Sequence, residues 1–373
     1  MPSALFLPLI VGAMVDDLGL SGSEAGLVVA VEMLSVGLVT LGSSLRIGRW
    51  NRRTLMLVGL CMMLLGNLLS ALATTLLQLA SARIVAAIGI GVIMAAMKAT
   101  VAAARNPVRI FGLQGIYFLA FSIIGFPVMA PVIKVWGLSG AYIAMALLVI
   151  PGFAWVRWVP PFSAERLRLQ PASWGFVDRW TMVVLVALLA YFIGRGAVWI
   201  YLERLGIAAG LSIQTIANVL AGASVGGILG ALLATRLNTR LGIIKALTFG
   251  MGCSLGSLLL LVYGMSIETF LPAVVIFNFA FAFTMPYLLG ALSHIDPHGR
   301  IVVLGFTMQT AGLALGPALA AVLLVGNDYT MIGWLGMVFF GASFILFRLA
   351  LLRLAPSLKQ PHSPVSPGKR REL

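Results

Sequence analysis

Four ionisable side chains stand inside long apolar stretches of this sequence: Glu32, Arg83, Lys98 and Arg195. An unpaired charge at such depth costs several kcal/mol, in the range of about 2.5 kcal/mol upward, so each is a functional candidate. Tyr191, Arg195 and Trp199 are spaced i, i+4, i+8 and share one helix face, which sets a guanidinium between two aromatic rings. Such a stripe suits an organic anion with an aromatic body: the guanidinium fork meets a carboxylate while the rings supply stacking surface. The alternative is that Arg195 pairs with a neighbour such as Glu32 as a strut. Glu32 is the sole acid well inside an apolar stretch, and a carboxyl in low dielectric can load and release a proton as its surroundings change. Arg83 near one end of its stretch and Lys98 near the other either enter an internal cavity or anchor at the headgroups.

The elements that hold these groups must be helices in lipid. The 373 residues are 61% hydrophobic and 10% charged, with mean hydropathy +1.06, more apolar surface than a water-soluble domain can bury. A span needs roughly 20 apolar residues. Such stretches run over 26–45, 55–76, 84–104, 110–133, 141–159, 182–202, 213–234, 243–265, 270–292, 301–325 and 331–351; with the shorter 2–15 they make twelve. The first, 14 residues or about 21 Å, is short for a crossing. A cleaved leader is disfavoured there, because no basic segment precedes it and no small-residue cleavage pattern precedes Asp16 and Asp17.

Positive charge then sets orientation. Twenty of the 25 Lys and Arg residues fall in alternate gaps, at the adjoining span ends or at the C-terminal end, against Lys134 and Arg204 in the opposite gaps and Arg83, Lys98 and Arg195 in or at spans four and seven. Both termini are therefore expected in the cytoplasm, and the protein in the cell inner (plasma) membrane. The net charge of +14 follows from topology, so no nucleic-acid partner is expected. All eight tryptophans lie at or near span ends, as headgroup anchors would. Cys61 and Cys253 have no metal-ligand spacing and read as packing residues; no metal or cofactor is expected.

Internal similarity divides the chain. Asn106-Pro107-Val108-Arg109-Ile110 recurs as Asp296-Pro297-His298-Gly299-Arg300-Ile301, and Asp16-Asp17-Leu18-Gly19-Leu20 recurs 187 residues on as Glu203-Arg204-Leu205-Gly206-Ile207. Six spans duplicated give an N-terminal bundle over 1–159, a cytoplasmic linker over 160–180, a C-terminal bundle over 181–352 and a disordered basic tail over 353–373.

These residues resemble the major facilitator superfamily. That family's basic loop after the second span is matched by Ser44-Leu45-Arg46-Ile47-Gly48-Arg49-Trp50-Asn51-Arg52-Arg53: the basic positions Arg49, Arg52 and Arg53 remain, while Gly48 replaces the family Asp and Ser44 and Asn51 its two Gly. Arg83, Gly89 and Gly91 are similar to the fourth-span pattern, and Gly125-Phe126-Pro127, echoed by Gly312, Gly316 and Pro317, partly matches the fifth. The resemblance implies two six-helix bundles rocking about a midplane site, alternating access, with spans one, four, seven and ten lining the cavity. It adds Asn278 of span ten to the candidate substrate ligands Arg195, Tyr191, Trp199 and Lys98, and gives Arg83, beside Glu32, a place in proton coupling or gating.

The expected function is secondary transport of a small organic solute, leaning to an organic anion, driven by a proton gradient and carried out by a monomer in the bilayer. A proton-linked drug exporter, which needs Glu32 rather than Arg195, is the rival of the same class. A non-transporting receptor or scaffold is the rival of another. No Gly-rich Lys-Ser/Thr nucleotide loop and no catalytic constellation of His, Asp or Ser at membrane depth points to an ATP-driven pump or an enzyme.

Overall fold

The computed structural model describes residues 2–44, 51–102, 107–159, 178–237, 242–263, 266–295, 300–324 and 328–358. All the regular elements among them are helical: α1 (Pro2–Leu18), α2 (Gly22–Ser44), α3 (Arg52–Ala71), α4 (Leu76–Ala102), α5 (Pro107–Trp155), α6 (Arg179–Ile200), α7 (Leu202–Ala208), α8 (Ile213–Leu237), α9 (Ile243–Tyr263), α10 (Ile267–Ile295), α11 (Arg300–Leu323) and α12 (Thr330–Leu358), with one 3-10 turn at Val156–Trp158. Helices satisfy every interior peptide group within the segment, which is what hydrocarbon surroundings require. Ten candidate spans are long and apolar enough to cross a membrane.

Helix α5 holds 49 residues, about 74 Å of straight helix and more than two bilayer cores deep. It is broken at Gly137, whose φ of 60° and ψ of −156° lie where only glycine sits without strain. The Asp17 carboxylate closes on this break, accepting a hydrogen bond from the Leu138 N–H; a Cβ at Gly137 would stand 2.6 Å from Asp17 Oδ2. The break falls in the gap that hydropathy predicts between 133 and 141.

Several boundaries differ from the sequence expectation, the start of α4 at Leu76 rather than residue 84 among them. Helix α1 continues past Val15 to Leu18, giving 17 residues or about 26 Å. Helix α12 continues past the expected span end at 351 to Leu358. Residues 359–373, and most of the expected linker over 160–180, lie outside the described residues.

The small residues of the family-like patterns mark close approaches between helices, as in membrane bundles generally. Gly89 of α4 meets the backbone of Gly59 in α3, and a Cβ on Gly91 would lie 2.8 Å from Val39 of α2. Gly312 and Gly316 of α11 lie against Phe192 and the Ile193 carbonyl of α6. Packing joins α2 to α4 and α3 to α4 and α5; among the later helices it joins α6 to α11 and α12, α8 to α10, and α9 to α10 and α12. The first five helices meet the rest along α2 with α11, along α5 with α8, and where α1 touches α6 and α7.

Candidate functional site

Arg195 projects from α6 and is 7% exposed. One terminal nitrogen donates to Asn278 Oδ1 of α10 at 2.6 Å. The guanidinium carbon lies 4.1 Å from the ring centre of Phe277, 4.4 Å from that of Phe281 and 5.0 Å from that of Trp199. Its second terminal nitrogen has no hydrogen-bond partner among the described residues, and no carboxylate there lies within 4 Å of it. Three aromatic faces supply cation–π attraction, on the order of 0.5–2 kcal/mol each, but none carries a compensating charge. The Trp199 edge of this cage reaches across the chain's two halves: its indole N–H donates to the Ala4 carbonyl of α1 at 3.1 Å, and its ring packs on Phe126 of α5. Trp199 is half-buried and joined to the facing half through its indole N–H. Tyr191 is fully buried against Phe192 and Phe340, so it backs the guanidinium from within the C-terminal helices.

Arg83 of α4 has the opposite surroundings. Its Nε donates to Glu32 Oε2 of α2 at 3.0 Å, a terminal nitrogen meets Glu32 Oε1, and the other donates to Asn67 Oδ1 of α3 at 2.9 Å. The ring of Tyr142, from the second segment of α5, lies 5.0 Å beneath the guanidinium. Arg83 and Glu32 are each 1% exposed. Four helices of the N-terminal half thus converge on one neutralised pair. The suggested Arg195–Glu32 strut is not formed: Glu32 is taken by Arg83, and Arg195 stands on the other half.

A third network escapes the hydropathy scan because it sits just beyond a span end. Arg204 of α7 donates to Asp16 of α1 through Nη1 to Oδ1 at 2.8 Å and Nη2 to Oδ2 at 2.6 Å. It also donates to its neighbour Glu203, through Nε to Oε2 at 2.6 Å and Nη2 to Oε1 at 3.0 Å. Asp16 thus joins α1 to α7 while staying open to water, and Asp17 caps the α5 break. The repeat that aligns Asp16 with Glu203 was the available signal.

In the basic loop, Arg53 Nε donates to the Val159 carbonyl at 2.6 Å, tying the start of α3 to the end of the α5 region. Arg52 is 3% exposed, and its Nε has no partner among the described residues. Arg49 lies outside the described residues, as does the side chain of Lys98, whose backbone belongs to α4.

Membrane-length helices surrounding isolated internal charges define a polytopic transport protein, and sequence comparison specifies which. The Major Facilitator Superfamily profile matches residues 1–312, so the chain belongs to that superfamily and is a transporter rather than an enzyme. No curated protein matches it in sequence. Among solved structures it is similar to a nucleoside transporter, NupG, with TM-score 0.76 and 12% identity over 96% of each chain. It is also similar to a POT family transporter crystallised with a thioalcohol-conjugated peptide, with TM-score 0.73 and 12% identity over 96% of this chain and 94% of the other. At that identity the likeness concerns the fold.

Proposed function

We propose that the protein is a secondary transporter for a small organic anion, preferentially one with an aromatic body, and that Arg195 is its principal substrate ligand. The observation that carries this reading is the buried guanidinium with an unpartnered terminal nitrogen, three aromatic faces and no carboxylate partner among the described residues. A buried cation lacking a counter-ion is costly, and a substrate carboxylate accepting from the unpartnered nitrogen supplies the missing charge. Asn278 holds the fork in place, Trp199, Phe277 and Phe281 give the organic body a surface, and Tyr191 supports the cage from behind. Lys98 is retained as a second cationic contact on α4.

Transport follows from two six-helix bundles, with α5 counted as two spans on either side of Gly137, rocking about this site by alternating access. Supporting this, several described polar contacts between the halves lie toward Asp16: Arg204 with Asp16, Tyr201 O–H with the Gly22 carbonyl at 2.7 Å, and Gln214 with the Pro127 carbonyl at 3.5 Å. Two more join the halves elsewhere, the Trp199 N–H with the Ala4 carbonyl and the Ser122 and Ser224 hydroxyls at 2.7 Å where α5 crosses α8. In this reading the Asp16 end is the closed one. The distribution of Lys and Arg supports an inner-membrane orientation with both termini cytoplasmic, and a proton gradient is the proposed driving force. A proton-linked exporter of cations, which needs Glu32 rather than Arg195, is less favoured by the pairing of Glu32 with Arg83.

Uptake into proteoliposomes across a panel of aromatic and aliphatic carboxylates and organic cations tests this reading. Aromatic carboxylates are expected to enter, and Arg195→Ala to weaken their apparent affinity at least tenfold. Uptake of cations alone, or an unchanged affinity in Arg195→Ala, overturns it.

A further inference from the structure

The geometry points to Glu203 as the group that takes up a proton when the Asp16 end of the molecule closes. This deepens the transport cycle proposed above and rests on its opening and closing motion.

One cation serves two carboxylates here. Arg204 spends all of its guanidinium on Asp16 and Glu203, leaving the cluster with one negative charge in excess. The two acids divide that excess unequally. The Asp16 side chain is 59% exposed, so water shares its charge, whereas the Glu203 side chain is 1% exposed. Glu203 is seated directly on the backbone of Gly12 in α1, with both carboxylate oxygens within contact of where a Cβ would stand. Burial of Glu203 therefore depends on α1 lying against α7, the same apposition that lets Asp16 reach Arg204.

The other polar groups facing this site are phenols. Tyr329 precedes α12, its ring centre 5.9 Å from that of Tyr201, and Tyr201 itself donates to Gly22. Helices α8 and α10 meet α7 through Ile216 and Phe270, which bring no charge. Asp17 is held by the Leu138 N–H and Asp328 by Thr330. No second cation among the described residues forms an ion pair with the cluster.

The excess charge is relieved most simply by a proton on the buried acid. Burial pushes the Glu203 carboxyl up to about 6; Arg204 opposes this through its hydrogen bonds and charge, and the Asp16 charge adds to it. When α1 and α7 part, water reaches the carboxyl and it returns toward its ordinary 4.5. The proton is then bound more tightly in the closed form. Closing takes up a proton, acid favours the closed form, and the bias vanishes as pH rises above about 6. Between pH 7.5 and pH 5 the closed-to-open ratio is expected to rise roughly tenfold.

The test is conformational and needs no substrate. Ala321 of α11 is buried against Gly26 of α2 at the same end. In protein carrying Cys61→Ala and Cys253→Ala, Ala321→Cys is treated with a membrane-impermeant maleimide in proteoliposomes at pH 7.5 and pH 5. Each rate is divided by that of Ser212→Cys, an exposed position at the same end, which cancels the pH dependence of thiol reactivity. The ratio is expected to fall roughly tenfold on acidification in the parent, and to stay low and flat in Glu203→Gln. A parent ratio that does not change with pH overturns the assignment, whether or not the Gln variant folds, and so does a Glu203→Gln protein that keeps the parent slope. Failure of Arg195→Ala to affect anion transport leaves this result standing. Absence of labelling in the Ala321→Cys protein under every condition means the end does not open, and removes the alternating cycle together with the proton site.

Discussion

Arg83 and Arg195 are the same side chain, both buried, in opposite surroundings. Around Arg83, a carboxylate from α2, an amide from α3 and a ring from α5 satisfy every part of the guanidinium within one half of the chain. Around Arg195 there is one amide and three rings, and a terminal nitrogen with no partner among the described residues. Burial of a charge therefore does not by itself mark a binding site. The proposed site rests on the missing counter-charge, because a neutralised pair can serve as scaffold while an uncompensated buried cation is costly without a ligand or a moving partner.

The contrast can be broken from the Arg83 side first, where the largest effect is expected. Glu32→Gln leaves Arg83 buried without its counter-ion and should destabilise the detergent-solubilised protein by roughly 3–5 kcal/mol, read as a lowered thermal midpoint, whereas Arg195→Met should leave that midpoint near the parent value. Restoring neutrality sharpens the point: the double variant Glu32→Leu with Arg83→Met should recover most of the lost stability, because a well-packed apolar pair avoids the desolvation cost of the ionic one. If Glu32→Gln is as stable as the parent, the pair is not the strut it looks like.

From the Arg195 side the readout is affinity rather than stability. Arg195→Ala should cost about 1.5–3 kcal/mol of anion binding, on the order of 10- to 100-fold in half-saturating concentration. Arg195→Lys should not restore it, since an ammonium lacks the planar guanidinium fork. Asn278→Ala removes a neutral acceptor and should cost less, about 1 kcal/mol. Phe281→Leu is the smallest of the series at about 0.5–1 kcal/mol, measured in the same uptake assay, because it deletes one cation–π face of three. An Asn278→Ala loss larger than that of Arg195→Ala would mean the amide, not the guanidinium, contacts substrate.

Much of this was legible in the chain. Hydropathy located the helices, including the break near Gly137, because a lipid-facing surface must be apolar throughout its length. The i, i+4 spacing placed Trp199 beside Arg195, and the guanidinium does lie over that ring. What was not legible depended on residues distant in sequence. Phe277, Phe281 and Asn278 reach Arg195 from more than 80 positions away, and Glu32 chose Arg83, 51 positions on, over the cation on the other half. Glu203 was invisible to a search of span interiors because it follows α6 in a seven-residue helix, and only the docking of α1 buries it.

Composition and periodicity alone therefore determined that this protein is a set of helices in lipid, and which few charges those helices carry. That is a local matter, since each segment must satisfy its own backbone and solvent. Only the tertiary structure decided which charges cancel one another and which are left over, because electrostatic pairing depends on distances of a few ångströms between helices, and the order of residues along the chain does not specify those distances.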